Sequence, residues 1–424
     1  MSVFDDLLQD VPIPDLIPLR QRFPRPRVED PGTEFLARLR ASGVLDSVQA
    51  GQSIAVAVGS RGVVNQPLLV RLLTAELKNK GARPFIVPSM GSHGGATARG
   101  QEQMLSDLGI SEETVGAPVR SSMEVVELGR TAAPAGLPVY MDRAAAAADG
   151  IVLINRIKHH VAFRGPYESG LFKMLAIGLG KQRGAEVCHN LGFARMAEHI
   201  PALARVALRR APVLFGIGLV ENGYHETARI EVLPAGRIEA EEPILLQEAK
   251  RLSARLCFTG LDVLVIEEVG KDITGTGFDL KIAGRFQDNE GTEGPEITRI
   301  ALLSLTSVSH GNANGVGLAD FITRRLFDSI DTAQTYPNSL TTTDPLRAKI
   351  PMIMDSDRRA IQAAIKTCHL RDRGRVRLAR IRNTLCLEEI AVSASALDNL
   401  EPGAPVETAG EARPLAFDRR GNLL

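Results

Sequence analysis

Hydrophobic and polar positions alternate along this chain in the manner of strands exchanging with helices. Ile54–Val58 is a short β-branched run that breaks at Gly59-Ser60-Arg61-Gly62. Leu68, Leu69, Leu72, Leu73 and Leu77 then fall on one helical face, with Asn65 a candidate cap and Gly81 a stop. Phe85–Val87 resumes as a strand and runs into Met90-Gly91-Ser92-His93-Gly94-Gly95, after which Met104, Leu105 and Leu108 mark another helix. An alanine run, Ala144–Ala147, predicts a helix leading into a strand at Ile151–Ile154, and Val213–Val220 a further strand. Ahead of all this, Glu34–Ser42 reads as a short helix closed by Gly43. The six prolines of residues 11–32, interspersed with Arg20, Arg22, Arg25 and Arg27, predict an extended surface segment.

Glu241–Leu256 has the pattern of a charged amphipathic connector helix. A second α/β unit begins at Val263–Glu267. It carries a glycine-interrupted loop from Gly270 to Gly277, helices near Val316–Ile330 and Arg358–Cys368, and strands near Ile350–Met354, Val376–Ile381 and Glu389–Ser393. The fold class expected is therefore α/β, with two α/β domains and the active site in the cleft between them. The boundaries expected are 1–256 for an N-terminal catalytic domain and 257–400 for a C-terminal domain closing the cleft. Residues 401–424 form a tail packing back on the first domain.

Bulk composition narrows the function classes. With 424 residues, 44% hydrophobic and 24% charged, the chain can bury a core without disulfide or metal staples. Lys+Arg and Asp+Glu both total 50, so net charge points to neither nucleic acid nor an acidic membrane. Cys188, Cys257, Cys368 and Cys386 are scattered and form no CxxC pair. An acidic start and the lack of a long apolar run predict a cytoplasmic protein with no membrane partner.

In an open parallel sheet, ligands gather beyond the carboxyl ends of the strands. Three polar, glycine-flanked segments sit at such ends: Arg61, His93 and His159/His160. Arg61 suits a carboxylate or phosphate, although an ordinary surface ion pair would use the same residue. The stretch from Asn155 to Asn190 is the densest in reactive groups. Its Gly178-Leu179-Gly180-Lys181 invites an anion cradle but matches neither a Walker loop nor GxGxxG after a strand. Lys173, in the mostly apolar Gly170-Leu-Phe-Lys-Met-Leu-Ala-Ile, is either snorkelling to solvent or desolvated and nucleophilic. His189 could be a metal ligand or a solvated helix residue. No HExxH and no GxSxG occurs, which argues against a conventional zinc or serine hydrolase. The residues alone thus reach an anion-binding pocket with several histidines and one unusual lysine, and no particular reaction.

At these residues the chain resembles the nickel-dependent lactate racemase family and its 2-hydroxyacid racemase and epimerase relatives. The resemblance rests on Arg156-Ile-Lys-His-His160, Phe163-Arg-Gly165 and Glu168-Ser-Gly-Leu-Phe-Lys173-Met, with His189 following at the family's lysine-to-histidine separation. Arg61 and Gly91-Ser92-His93 match its other landmarks. The likeness covers roughly residues 50–190. It implies a nickel-pincer nucleotide (Ni) tethered through a thioamide to Lys173, with His189 as the protein ligand in a flat nickel site. It also implies His93 and His160 as paired acid/base groups, and Arg61 at the substrate carboxylate. Lys271 is a further candidate for substrate contact, with Lys281 as its alternative and His310 as a second candidate. The implied activity inverts the C2 centre of a small-molecule 2-hydroxy acid. One histidine removes the hydroxyl proton, the α-hydrogen leaves as hydride, and both return on the opposite face. Cofactor-biosynthesis proteins would be the loading partners.

Two departures stand out. Pro166-Tyr167 lengthens the phenylalanine-to-lysine spacing, which leaves His159 beside His160 as the alternative base. The chain has no tryptophan, so a substrate pocket lined by tryptophan is replaced and lactate itself is in question. The rival readings are a pincer-free metal-dependent isomerase or lyase using the same histidines, and a non-catalytic sugar-acid-binding protein.

Overall fold

The computed structural model describes residues 3–60, 62–133, 136–190, 192–288 and 291–424. It divides into two compact units, each a mixed α/β body. One spans Pro24–Ser253 with Thr341–Thr343; the other takes residues up to Phe23, Ala254–Leu340 and Asp344–Leu424. The division falls just after Ser253, whereas the boundary expected from the sequence follows residue 256. The first residues belong with the later part of the chain and not with the N-terminal body.

In the Pro24–Ser253 unit, the strands run Arg83–Pro88, Ser53–Val58, Gly150–Arg156, Val213–Glu221 and Thr227–Pro234 across one five-stranded sheet. The first four are parallel and the last is antiparallel. Period-two alternation sends successive residues to opposite faces. Ala55, Ala57, Ile151 and Leu153 enter one apolar cluster, while Ile54, Val56, Val58, Val152 and Ile154 enter another. Helix Gln66–Asn79 covers the second face through Leu69, Val70, Leu73 and Leu77. Helices Met196–Arg210 and Ala235–Leu252 cover the first.

Several expectations are met: the helix at Pro31–Ala41 ending before Gly43, the stop at Gly81, and the strand at Gly150–Arg156. Others change. Asn65 occupies the cap position in a left-handed conformation, but its side chain makes no cap bond and donates instead to Thr227 Oγ1 at 3.0 Å. The alanine run forms a single turn, Arg143–Ala146. The expected connector helix, Ala235–Leu252, is a core element of this unit, because Ile238, Leu245, Leu246 and Leu252 are buried on the sheet.

The other unit holds an eight-stranded sheet ordered Met352–Met354, Phe321–Thr323, Glu296–Leu305, Gly260–Val269, Leu378–Ile381, Glu389–Ser393, Leu16–Gln21, Val406–Thr408. Its first five strands are parallel and the rest antiparallel. The segment expected to drape over the surface therefore contributes a strand, and residues 406–408 of the expected tail pair with it. The helix expected near Val316–Ile330 is replaced by a turn, the strand Phe321–Thr323 and the short helix Arg324–Asp328. Among the described residues, no helix is long and apolar enough to cross a membrane.

Candidate active site

The site is assembled at the carboxyl ends of the Pro24–Ser253 sheet. Beyond Arg83–Pro88 the chain turns through Ser89 and Met90 into the His93 loop. Gly91 adopts φ +60, and a Cβ there would lie 3.1 Å from Ile177 Cγ2. Its amide donates to Gly178 O at 3.1 Å, and a Cβ on Gly178 would come within 2.7 Å of Ser89 O. Two glycines thus let the His93 loop lie directly on the turn that follows Lys173. His93 is half-buried, and its Nδ1 meets Ser60 Oγ at 2.5 Å. Arg61, one residue beyond that serine, lies outside the described residues.

The strand Gly150–Arg156 continues into a loop closed by the pairing of Lys158 with Ser169. Glu168, buried, holds this loop from within. It accepts from His160 N at 2.6 Å and Gly165 N at 3.3 Å, and its ion pair with Lys250 Nζ spans 2.6 Å. Ala162 N donates to His160 Nδ1 at 3.1 Å, so a neutral His160 ring carries its proton on Nε2. The ring lies 4.4 Å from that of Phe163. His159 points elsewhere. Ser253 Oγ gives its one proton to Ala249 O at 2.7 Å and receives from His159 Nδ1 at 3.3 Å.

Lys173 closes the short helix Leu171–Lys173, which passes into a π-turn, Met174–Gly178. Such π-segments are rare and concentrate at functional sites. The helix start is capped from below. Glu242 Oε2 accepts from Phe172 N at 2.9 Å, and a Cβ on Gly170 would meet Glu242 Oε1 at 2.3 Å. Burial pushes the Glu242 carboxyl up to about 8, against the pull of the amides of Phe172 and Leu171. Asn155 Nδ2 donates to Gly170 O at 3.0 Å and ties the same turn to the sheet.

Lys173 is half-buried, and its charge acts on the Cys188 thiol. Burial still dominates there and pushes the thiol up to about 12, so Cys188 is an inert thiol. His189 ends the helix Lys181–His189, with Nδ1 2.6 Å from Ala185 O. A carbonyl can only accept, so Nδ1 carries a proton and, in the neutral ring, Nε2 the lone pair. Phe193 stands edge-on to His189 at 5.6 Å and 6.4 Å from the His160 ring. His160, Lys173 and His189 are thus brought into one neighbourhood, with the His93 loop resting on the Lys173 turn.

The remaining candidates fall out differently. Lys181 is fully buried and bonded to protein groups, which corrects the anion-cradle reading of Gly178-Leu179-Gly180-Lys181. Lys271, Lys281 and His310 belong to the other unit. There Lys271 Nζ donates to Gly275 O at 2.8 Å, and Lys281 Nζ lies 4.9 Å from the centroid of Phe286. Glu168 enters the sequence reading only as part of the family motif, without a role, and Glu242 is not singled out in it. Each resembles an ordinary charged residue until the fold buries it, and Gly170 beside a helix start was the one local signal. Among the described residues, no group of three or more His, Cys, Asp or Glu side chains could hold a metal ion.

Residues 31–199 match the lactate racemase N-terminal domain, a segment that contains His93, His160, Lys173 and His189. Among solved structures, the lactate racemase apoprotein from Thermoanaerobacterium thermosaccharolyticum is similar at 15% identity, with 84% of each chain covered and a TM-score of 0.47. No curated protein matches.

Proposed function

Taking the chain as a lactate racemase-family relative through its residues 31–199, we propose that it is a cytoplasmic isomerase, a racemase or epimerase acting at C2 of a 2-hydroxy acid. In this reading Lys173 tethers a nickel-pincer nucleotide installed by cofactor-biosynthesis proteins. The observation that carries it is the tautomer of His189. A metal-ligating histidine characteristically donates its other ring N–H to a backbone carbonyl or carboxylate, which fixes the ring and frees a lone pair for the metal. His189 does so to Ala185 O.

The residues present fit the group. The Lys173 amine lies at the end of a capped turn, in electrostatic reach of Cys188, the neighbour of His189. His189 offers one imidazole donor, and the flat nickel site needs its other donors from the nucleotide. When bound, the group supplies a reversible acceptor for the α-hydrogen.

The protein's own part is proton transfer and orientation. One histidine must begin protonated, as the acid, and the other neutral, as the base; for one direction His160 would be the acid, its imidazolium giving a proton to the substrate oxygen. His93, beside Ser60 Oγ, is then the base for the same direction, and the roles exchange for the other enantiomer. Arg61 would bind the substrate carboxylate.

Intact-mass measurement of protein made together with the cofactor-synthesis machinery tests this. An adduct is expected on the wild type and absent from Lys173→Ala. His189→Ala keeps the adduct and loses nickel. Turnover of hydroxy acids by unmodified, nickel-free protein would overturn the proposal.

A further inference from the structure

Between the proposed tether Lys173 and the proposed nickel ligand His189 stands a second lysine that the proposed chemistry leaves unused. Lys181 has no exposed surface and a left-handed backbone at φ +54, an uncommon conformation for a residue with a side chain. Its ammonium donates to the Pro88 carbonyl and to Gln101 Oε1 at 3.1 Å, and it forms an ion pair with Asp142 Oδ2 at 3.3 Å. Asp142 is itself fully buried, with its Oδ1 engaged by Ala145 N at 3.0 Å.

Gln101 is equally committed. It is fully buried in the helix Ala98–Asp107, and its oxygen accepts from Lys181. Its nitrogen spends both protons on the His93 loop, donating to Gly91 O at 2.8 Å and to His93 O at 3.2 Å. A primary amide has two donors and two acceptor sites, so the side chain's orientation is fixed by its neighbours. The side chains of Lys181, Gln101 and Asp142 have no exposed surface, so breaking their bonds would strand a buried polar group.

We infer that Gln101 is a positioning residue for His93, oriented by the Lys181–Asp142 pair and clamping the His93 loop onto the turn that follows Lys173. This rests on the proposed role of His93. Substrate contact is not involved, because Gln101 is buried and meets His93 through its backbone carbonyl. Lys181 couples the segment that would carry the cofactor to the loop that would carry the base. The relative placement of the two is then set in the interior, before any ligand binds.

Gln101→Met removes the clamp at nearly constant volume and leaves Lys173, His93 and His189 untouched. In the loaded, full-length protein, amide exchange across residues 90–97 is expected to quicken by about tenfold or more, with the Ser53–Val58 strand unchanged. In racemisation, kcat should fall by about tenfold to a hundredfold while KM stays within about twofold, since orientation of a base is lost and substrate binding is kept. Should the methionine variant not fold, Gln101→Glu preserves shape and the acceptor for Lys181 while losing the amide donors. Unchanged exchange at 90–97, or a kcat held at the wild-type value, would overturn the inference, as would a rise in KM matching the fall in kcat. If the wild type shows no hydroxy-acid turnover, it is the proposed function that fails, and the exchange measurement alone decides this one.

Discussion

Glu242 shows how little a residue's identity says about its state. It sits in a run of acidic residues, Glu239, Glu241 and Glu242, that reads as a solvated helix face. The helix turns Glu242 inward beneath Gly170, where one oxygen accepts the Phe172 amide and the other has no hydrogen-bond partner. Burial raises its pKa from the ordinary 4.5 to about 8. The sign follows from the proton count. Between these two values the folded protein binds a proton that the unfolded chain does not, so the stability from this group is full below about 4.5. That contribution is lost as pH rises through about 8. The melting temperature of the wild type is therefore expected to decline from pH 6 to pH 9 more steeply than that of Glu242→Gln, whose amide mimics the protonated acid. Parallel curves for the two proteins would refute a neutral Glu242. None of this was legible locally, whereas the Lys173 and His189 motif was, because the proposed tethering and ligation would depend on particular residue types at a fixed spacing.

At the scale of elements, the regular pieces were the readable ones. Ser53–Val58, Gln66–Asn79, Gly150–Arg156 and Glu389–Ser393 carry their periodicity in their own residues. The loop from Lys158 to Ser169 is the opposite case. It has no period, and its shape comes from a buried carboxylate that receives two backbone amides and Lys250. Glu168→Ala leaves those donors unsatisfied and should cost about 2 kcal/mol or more, as a lowered urea midpoint with unchanged slope. Faster amide exchange should be confined to residues 158–167. Wild-type exchange there would mean that the loop is held by something else. The same reasoning separates His159 from His160. Adjacent in sequence, they are told apart by Ser253 on one side and Ala162 on the other.

For the whole molecule, the most consequential long-range feature is the strand Leu16–Gln21. Leu16 and Leu19 are buried, and the fully buried Gln21 bridges Leu387 O at 2.7 Å and Cys257 N at 2.9 Å. Deleting residues 1–21 removes this strand, exposes the edge of Glu389–Ser393 and strands the Cys257 amide. The loss is on the order of 5 kcal/mol, a large share of an ordinary domain's stability. Strands Gly260–Val269 and Leu378–Ile381 should then lose their protection from exchange, and full protection retained in the truncated protein would refute this structural role. A proline-rich, arginine-bearing segment gives no hint of such a place, since its partners lie more than three hundred residues away in the chain.

What the sequence determined by itself was local. It set the α/β alternation, the positions of most strands and helices, and the Lys173, His189, His93 and His160 pattern that marks the family likeness. Those features follow from side-chain period and residue chemistry, which neighbours in the chain suffice to express. The tertiary structure alone decided which charges are buried and which way a proton sits. It buried Lys181 against Pro88, Gln101 and Asp142 in place of an anion-binding role, pushed the Glu242 carboxyl up to about 8, and set His189 Nδ1 on the Ala185 carbonyl. Each of those states depends on desolvation and on partners contributed by distant segments, and neither exists until the chain has folded.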